Sequence, residues 1–138
     1  MSRVRVLVVD DQAPFRRAAS SVVAAVDSFE LVGAVGSAEE CLGVVRELRP
    51  DLVLMDVNLP GIDGIDAARV LADGPHPPVV VLLSTYSEAE YTERAAGVAG
   101  YLEKSRFGPD RLAALWSELS VGRQPPAGID DARSGPPS

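Results

Sequence analysis

Asp10 and Asp11 follow one apolar run directly, Asp56 closes a second, Ser84 and Thr85 close a third, and Lys104 comes shortly after a fourth. Three carboxylates, a pair of hydroxyls and an ammonium at the ends of candidate strands could together hold a divalent cation and a phosphoryl group. Carboxylates brought close raise one another's pKa unless a cation neutralises them. Oxygen donors select hard ions, and a shallow site with few protein ligands suits Mg²⁺, which keeps several waters and pairs with phosphate oxygens. Lys104 would then offer a second positive charge to the incoming group.

These residues can act together only if the chain gathers its strand ends at one edge. Short apolar runs at Val4–Val9, Leu31–Val35, Leu52–Met55, Val79–Leu83 and Gly100–Leu102 alternate with segments of helical period. The runs are rich in Val and Leu and lack strict polar alternation, as strands buried on both faces do. Alternation with helices predicts βαβ units: an α/β, doubly wound, five-stranded parallel sheet in three α/β/α layers. In such a sheet ligands bind outside the carboxyl ends of the strands, where the acids, the hydroxyls and the lysine fall.

The connecting helices carry their own marks. Phe15, Ala18, Ala19, Val22, Val23 and Val26 share one face of a first helix that Pro14 opens. Ser37 and Glu40 have capping-box spacing for a second helix, which turns Cys41, Leu42, Val45 and Leu48 inward and has Pro50 beyond its end. A third starts after Gly64, uses Ile65, Ala68 and Leu71, and ends near Gly74 before Pro75-His76-Pro77-Pro78. Ser87 and Glu90 mark a fourth, and Pro109 opens a fifth with Leu112, Leu115, Trp116 and Leu119 on its inner face.

Composition narrows the function. The 138 residues are 46% hydrophobic, enough for one core, and the formal charge of −7 opposes direct binding to nucleic-acid phosphates. Cys41 is the single cysteine, which excludes an intramolecular disulfide and reads as a small buried hydrophobe. The run Val6–Val9 is too short for a signal peptide or a membrane span, so the expectation is a cytoplasmic protein with no membrane partner. Residues 1–120 form the expected domain. Residues 121–138 are rich in Gly, Pro and Ser, read as a disordered tail or linker, and hold no helix-turn-helix pattern.

The stretches VLVVDDQ, DLVLMDVNLPGIDG, VVVLLST and GYLEKS, at these spacings, resemble the receiver domain of response regulators over Val4 to about Leu119. VLLSTYSEAEY and the residue after Lys104 are similar to receivers of the NarL/LuxR type, which precede DNA-binding domains. The resemblance implies a CheY-like, flavodoxin-like strand order of 2-1-3-4-5 and a phosphoryl group accepted on Asp56. It implies Mg²⁺ bound directly by Asp11 and Asp56, by Asp10 through water, and by the backbone carbonyl of Asn58. Ser84 would hydrogen-bond the phosphoryl group, Lys104 would pair with the acyl phosphate, and Tyr101 would be the switching aromatic. The implied donor is a phosphohistidine of a sensor histidine kinase or phosphotransfer protein. Output would pass from the face of the fourth helix, fifth strand and fifth helix to an effector protein or a missing output domain, with a homodimer left open. Ser105 departs from the pattern, since many receivers have Pro there.

Each residue also has an ordinary reading. Asp10 and Asp11 alone could cap a helix, Lys104 alone could be a solvated lysine, and Tyr101 could be a strand-edge aromatic. Ser84 and Thr85 could be loop caps, and His76 reads as an unremarkable loop residue. For the acids and Lys104 their joint position at strand ends outweighs these readings, Ser84 is preferred to Thr85 because it directly follows the apolar run, and His76 keeps its ordinary reading. A haloacid-dehalogenase-like phosphatase would need a second Asp where Asn58 stands, as well as a capping domain. A dinucleotide or flavin binder would need a Gly-rich first turn in place of Asp-Asp-Gln-Ala-Pro. A receiver that signals without phosphorylation would use the same surface.

Overall fold

The computed structural model describes residues 3–85 and 100–122. The helix expected from Ser87 and Glu90 lies outside the described residues, as does the segment 123–138. The elements in chain order are β1 (Val4–Val9), α1 (Ala13–Ala24), β2 (Phe29–Val35), α2 (Ala38–Leu48), β3 (Leu52–Asp56), α3 (Gly64–Ala72), β4 (Val79–Ser84), β5 (Gly100–Glu103) and α4 (Pro109–Gly122), the last being the fifth helix of the sequence reading.

The five strands form one parallel sheet in the order β2-β1-β3-β4-β5. Every residue of β3 and β4 is buried, which is why their sequences show no polar alternation. The period of two is still present, hidden by chemistry that is apolar on both faces. Leu7, Val9, Val53, Met55, Val80 and Leu82 turn to one face, where α2 and α3 supply Cys41, Ile65, Ala68 and Leu71. Val6, Val8, Leu54, Val81 and Leu83 turn to the other, with Ala19 and Val23 of α1 and Leu112 and Leu115 of α4. Burying each such aliphatic side chain contributes about 1.5–3 kcal/mol.

Local boundaries follow from capping. The Ser37 hydroxyl accepts from the Glu40 N–H at 3.1 Å, and the Glu40 carboxylate reaches back to the Gly36 N–H at 2.7 Å, one residue before the cap. Asp63 caps α3 by accepting from the Asp66 N–H at 2.9 Å. Helix α1 stops at Ala24, short of Val26, which still packs on the core from the following turn. Strand β2 starts at Phe29, two residues before the apolar run, because its parallel pairing with β1 extends through the polar Glu30. Trp116 is half-buried and meets Phe29 edge-on at 6.2 Å. Among the described residues no helix is long and apolar enough to cross a membrane.

Candidate phosphoryl and cation site

All five strands are parallel, so their carboxyl ends share one edge, and β1 and β3 are adjacent there. Asp10 follows β1 and carries its ladder one step further, donating its N–H to the Val35 carbonyl at 3.1 Å. Its side chain is fully buried, which is rare for an aspartate unless something pairs with it. Asp10 Oδ1 accepts from the Gln12 N–H at 2.8 Å, and Gln12, not either aspartate, occupies the cap position of α1. The plain capping reading of Asp10-Asp11 therefore fails. The Arg16 guanidinium donates to the Asp10 carbonyl at 2.7 Å and ties the turn to the helix.

Asp56 is the last residue of β3, buried, and opposite Leu83 in the register with β4. Its Oδ1 accepts from the Asn58 N–H at 3.2 Å. The following loop returns so tightly that the Gly64 N–H donates to the Val57 carbonyl at 3.0 Å. A Cβ on Gly64 would collide with the Asp56 carbonyl oxygen, so the missing side chain is what lets α3 begin against the end of β3. Gly61 has φ +74°, a left-handed turn position, and the neighbouring Ile62 N–H reaches Glu39 Oε2 at 3.4 Å. The Leu59-Pro60-Gly61 turn is thus pinned to α2.

Lys104 begins a short 3-10 turn directly after β5. Its Nζ lies 2.7 Å from Asp10 Oδ2 and 3.4 Å from Asp56 Oδ2, with the side chain 12% exposed. The contact with Asp10 is a pairing of charges without a directed hydrogen bond, which leaves that buried oxygen able to accept more. Burial pushes the Asp56 carboxyl above the usual range, the Asp10 charge pushes the same way, and Lys104 and the Asn58 N–H partly offset them.

Asp10, Asp11 and Asp56 each offer a carboxylate oxygen, and these atoms all lie within 4.8 Å of one another, with Asp11 exposed and the other two buried. An all-oxygen set with one open side fits a hard cation that keeps waters, and a buried Asp10 oxygen without a hydrogen bond is the kind of group such a water would satisfy. Ser84 ends β4, buried, while Thr85 is exposed. Tyr101 lies opposite Leu82 on β5 and packs half-buried against the cluster under α2 and α3. Asn58 is exposed beside Asp56, and His76 is exposed in its loop.

Two contributors escape the sequence reading. Arg16 in the first turn of a helix looks solvated, and nothing in the sequence marks it for the Asp10 carbonyl. Phe15 reads as core, yet its ring centroid lies 4.5 Å from Lys104 Nζ.

The profile of the response regulator receiver domain matches residues 6–116. Response regulator GacA of Pseudomonas viridiflava is 43% identical over 104 residues, 73% of this chain and 48% of that protein. The chain spans about half the length of such relatives. Among solved structures, the signal receiver domain of NarL from Mycobacterium tuberculosis superposes with a TM-score of 0.77 at 27% identity, covering 91% of this chain and 100% of that one. A LuxR-family two-component response regulator from Aurantimonas sp. SI85-9A1 gives 0.78 at 26% identity, covering 87% of each. The chain belongs to the response regulator receiver domains, the signalling switches of two-component systems.

Proposed function

We propose that residues 1–120 accept a phosphoryl group on Asp56 from a phosphohistidine of a sensor histidine kinase or phosphotransfer protein. The observation that carries this reading is the convergence of three carboxylates and Lys104 at one strand edge, with two of the acids buried. An Asp56 oxygen forms a bond to phosphorus as the donor's P–N bond breaks, and the imidazole leaves with the electron pair. Asp10, Asp11, Asp56 and the Asn58 carbonyl would hold Mg²⁺, which when bound neutralises the acids and orients phosphoryl oxygens. Lys104, already paired with Asp10 and Asp56, can pair its ammonium with a phosphoryl oxygen instead, and the Asn58 N–H holds the second Asp56 oxygen in place.

Ser84 ends β4 beside Asp56's strand, and Tyr101 lies on the neighbouring β5. A phosphoryl group that draws Ser84 inward and a changed Tyr101 rotamer would bias the same face, formed by β5, α4 and the helix expected from Ser87, toward an effector or output domain. Such a chain is a switch that turns over its own phosphoryl group, not an enzyme acting on external substrates. A phosphatase reading is not favoured, since Asn58 stands where its acid/base Asp would be.

Incubation with acetyl phosphate and Mg²⁺, followed by intact mass measurement, tests the assignment. The expected result is one added phosphoryl group, lost in Asp56→Asn and without Mg²⁺. Equal modification of Asp56→Asn would remove Asp56 as acceptor.

A further inference from the structure

The Lys104 ammonium meets an aromatic face as well as the two acids. The Phe15 ring centroid is 4.5 Å from Nζ, within the range in which a cation is drawn to the negative face of an aromatic quadrupole. Phe15 is half-buried in the first turn of α1, the helix that follows Asp10 and Asp11. It is itself backed by Phe107, whose ring lies 5.8 Å away and is tilted by 47°. Phe107 belongs to the lysine's own loop: its N–H donates to the Lys104 carbonyl at 3.3 Å, closing the Lys104–Arg106 turn.

We propose that Phe15, backed by Phe107, is a positioning residue that holds the Lys104 ammonium over Asp10 and Asp56. A lysine side chain has about 2 kcal/mol of rotamer entropy and a strongly hydrated head, so an isolated ion pair restrains it poorly. A ring face takes the place of water on one side while imposing no fixed hydrogen-bond direction. The ammonium can therefore slide from the carboxylates to a phosphoryl oxygen without losing this contact. The same two rings join α1 to the loop after β5, where Ser105 leaves the backbone without the restraint of a proline. A leucine at position 15 would fill much of the same apolar space and supply none of the attraction.

This inference rests on the phosphoacceptor reading for its rate consequence but not for its geometry, and two measurements separate them. The first is the proton NMR shift of the Lys104 Cε methylene, which a ring face moves upfield whether or not the protein is phosphorylated. The upfield shift should be present in the native chain and absent in Phe15→Leu. The second is the initial rate of phosphorylation by acetyl phosphate with Mg²⁺, followed by intact mass. Phe15→Leu should slow it by about fivefold, the size expected of a cation–π contact to a half-buried ring that water still reaches. A series with increasingly fluorinated phenylalanine at position 15 should slow it step by step, because fluorine drains the quadrupole at nearly constant packing. In a Lys104→Met background the same changes should have no effect. An upfield shift missing from the native chain, a flat fluorine series, or an equal Phe15→Leu effect without Lys104 would each overturn the positioning role. No phosphorylation of the native chain, with the ring shift intact, would instead overturn the phosphoacceptor reading alone.

Discussion

The Lys104 ammonium is closer to Asp10, at 2.7 Å, than to Asp56, at 3.4 Å. Asp10 is the fully buried acid of the group, so the lysine stands nearest the charge with least access to water. Before any phosphoryl group arrives, then, Lys104 makes the burial of Asp10 tolerable and in doing so is stored beside Asp56.

Lys104→Met should therefore destabilise the fold as well as the chemistry. Removing one partner of a buried pair leaves the other charge uncompensated, at a cost of about 3 kcal/mol. The loss should be smaller near pH 4, where Asp56, raised by burial, can take up a proton, and millimolar Mg²⁺ should restore part of it by supplying another cation. Urea denaturation at both pH values, with and without Mg²⁺, measures each effect; an unchanged midpoint at pH 7 would mean that Asp10 does not depend on the lysine.

Asp56 gives a pH dependence of opposite sense to that of a salt-bridged surface acid. Burial, then the Asp10 charge, raise its pKa in the folded chain above the ordinary 3.8. The folded state thus holds this proton more tightly than the unfolded one, so the group's favourable contribution is complete below the unfolded pKa and is lost as pH rises through the folded pKa. Asp56→Asn removes that penalty. The variant should melt above the native chain at pH 7 without divalent ions, and the gap should close as the pH falls below about 4. Saturating Mg²⁺ should favour the native chain, by about 2.7 kcal/mol at one hundred times the dissociation constant. Thermal melts across pH, with and without Mg²⁺, read both trends.

The acids, Ser84 and Lys104 were legible in the sequence because a parallel sheet makes position after an apolar run equivalent to position on one edge. Strand ends were less so. Asp56, Ser84 and Glu103 belong to their strands, because ladder pairing continues past the last apolar side chain and pairing leaves no mark in composition. Glu30 hid the start of β2 in the same way. The contacts of Phe15 and Arg16 were invisible for a different reason: both depend on how α1 leans over the strand ends, an angle that helical spacing does not encode. A ring that packs on the core and one that faces an ammonium occupy the same helical position.

Cys41 offers an independent probe of the packing under α2. It is fully buried, and burial pushes its thiol up to about 11. At pH 8 only about one molecule in a thousand would carry the reactive thiolate. Iodoacetamide should leave the native protein unmodified over the minutes in which a free cysteine reacts, and should label it fully in urea. Fast labelling of the native chain would show that α2 opens without global unfolding.

The last prediction joins fold to chemistry through two glycines, Gly61 in the turn after β3 and Gly64 at the start of α3. A Cβ on Gly64 would strike the Asp56 carbonyl oxygen and come within 3.1 Å of Val57 Cα, and both obstacles are backbone atoms of the strand end that carries Asp56, the proposed acceptor. Neither can yield unless α3 moves off β3. A Cβ on Gly61 would meet the Glu39 carboxylate at 2.6 Å, but that is the far end of a flexible side chain, and the remaining cost is the left-handed backbone at φ +74°. That strain amounts to about 1–2 kcal/mol in a non-glycine residue. Gly64→Ala should therefore lose about 3 kcal/mol, the upper range for forced overpacking, and slow phosphorylation by at least about tenfold, since small misplacements of reacting groups are costly. Gly61→Ala should lose about 1–2 kcal/mol and phosphorylate within about twofold of the native rate. Urea midpoints and initial rates by intact mass, taken on both variants, distinguish a loop that merely needs a turn from one that sets the position of Asp56. Equal rates in the two would place the acceptor's geometry under the control of β3 alone.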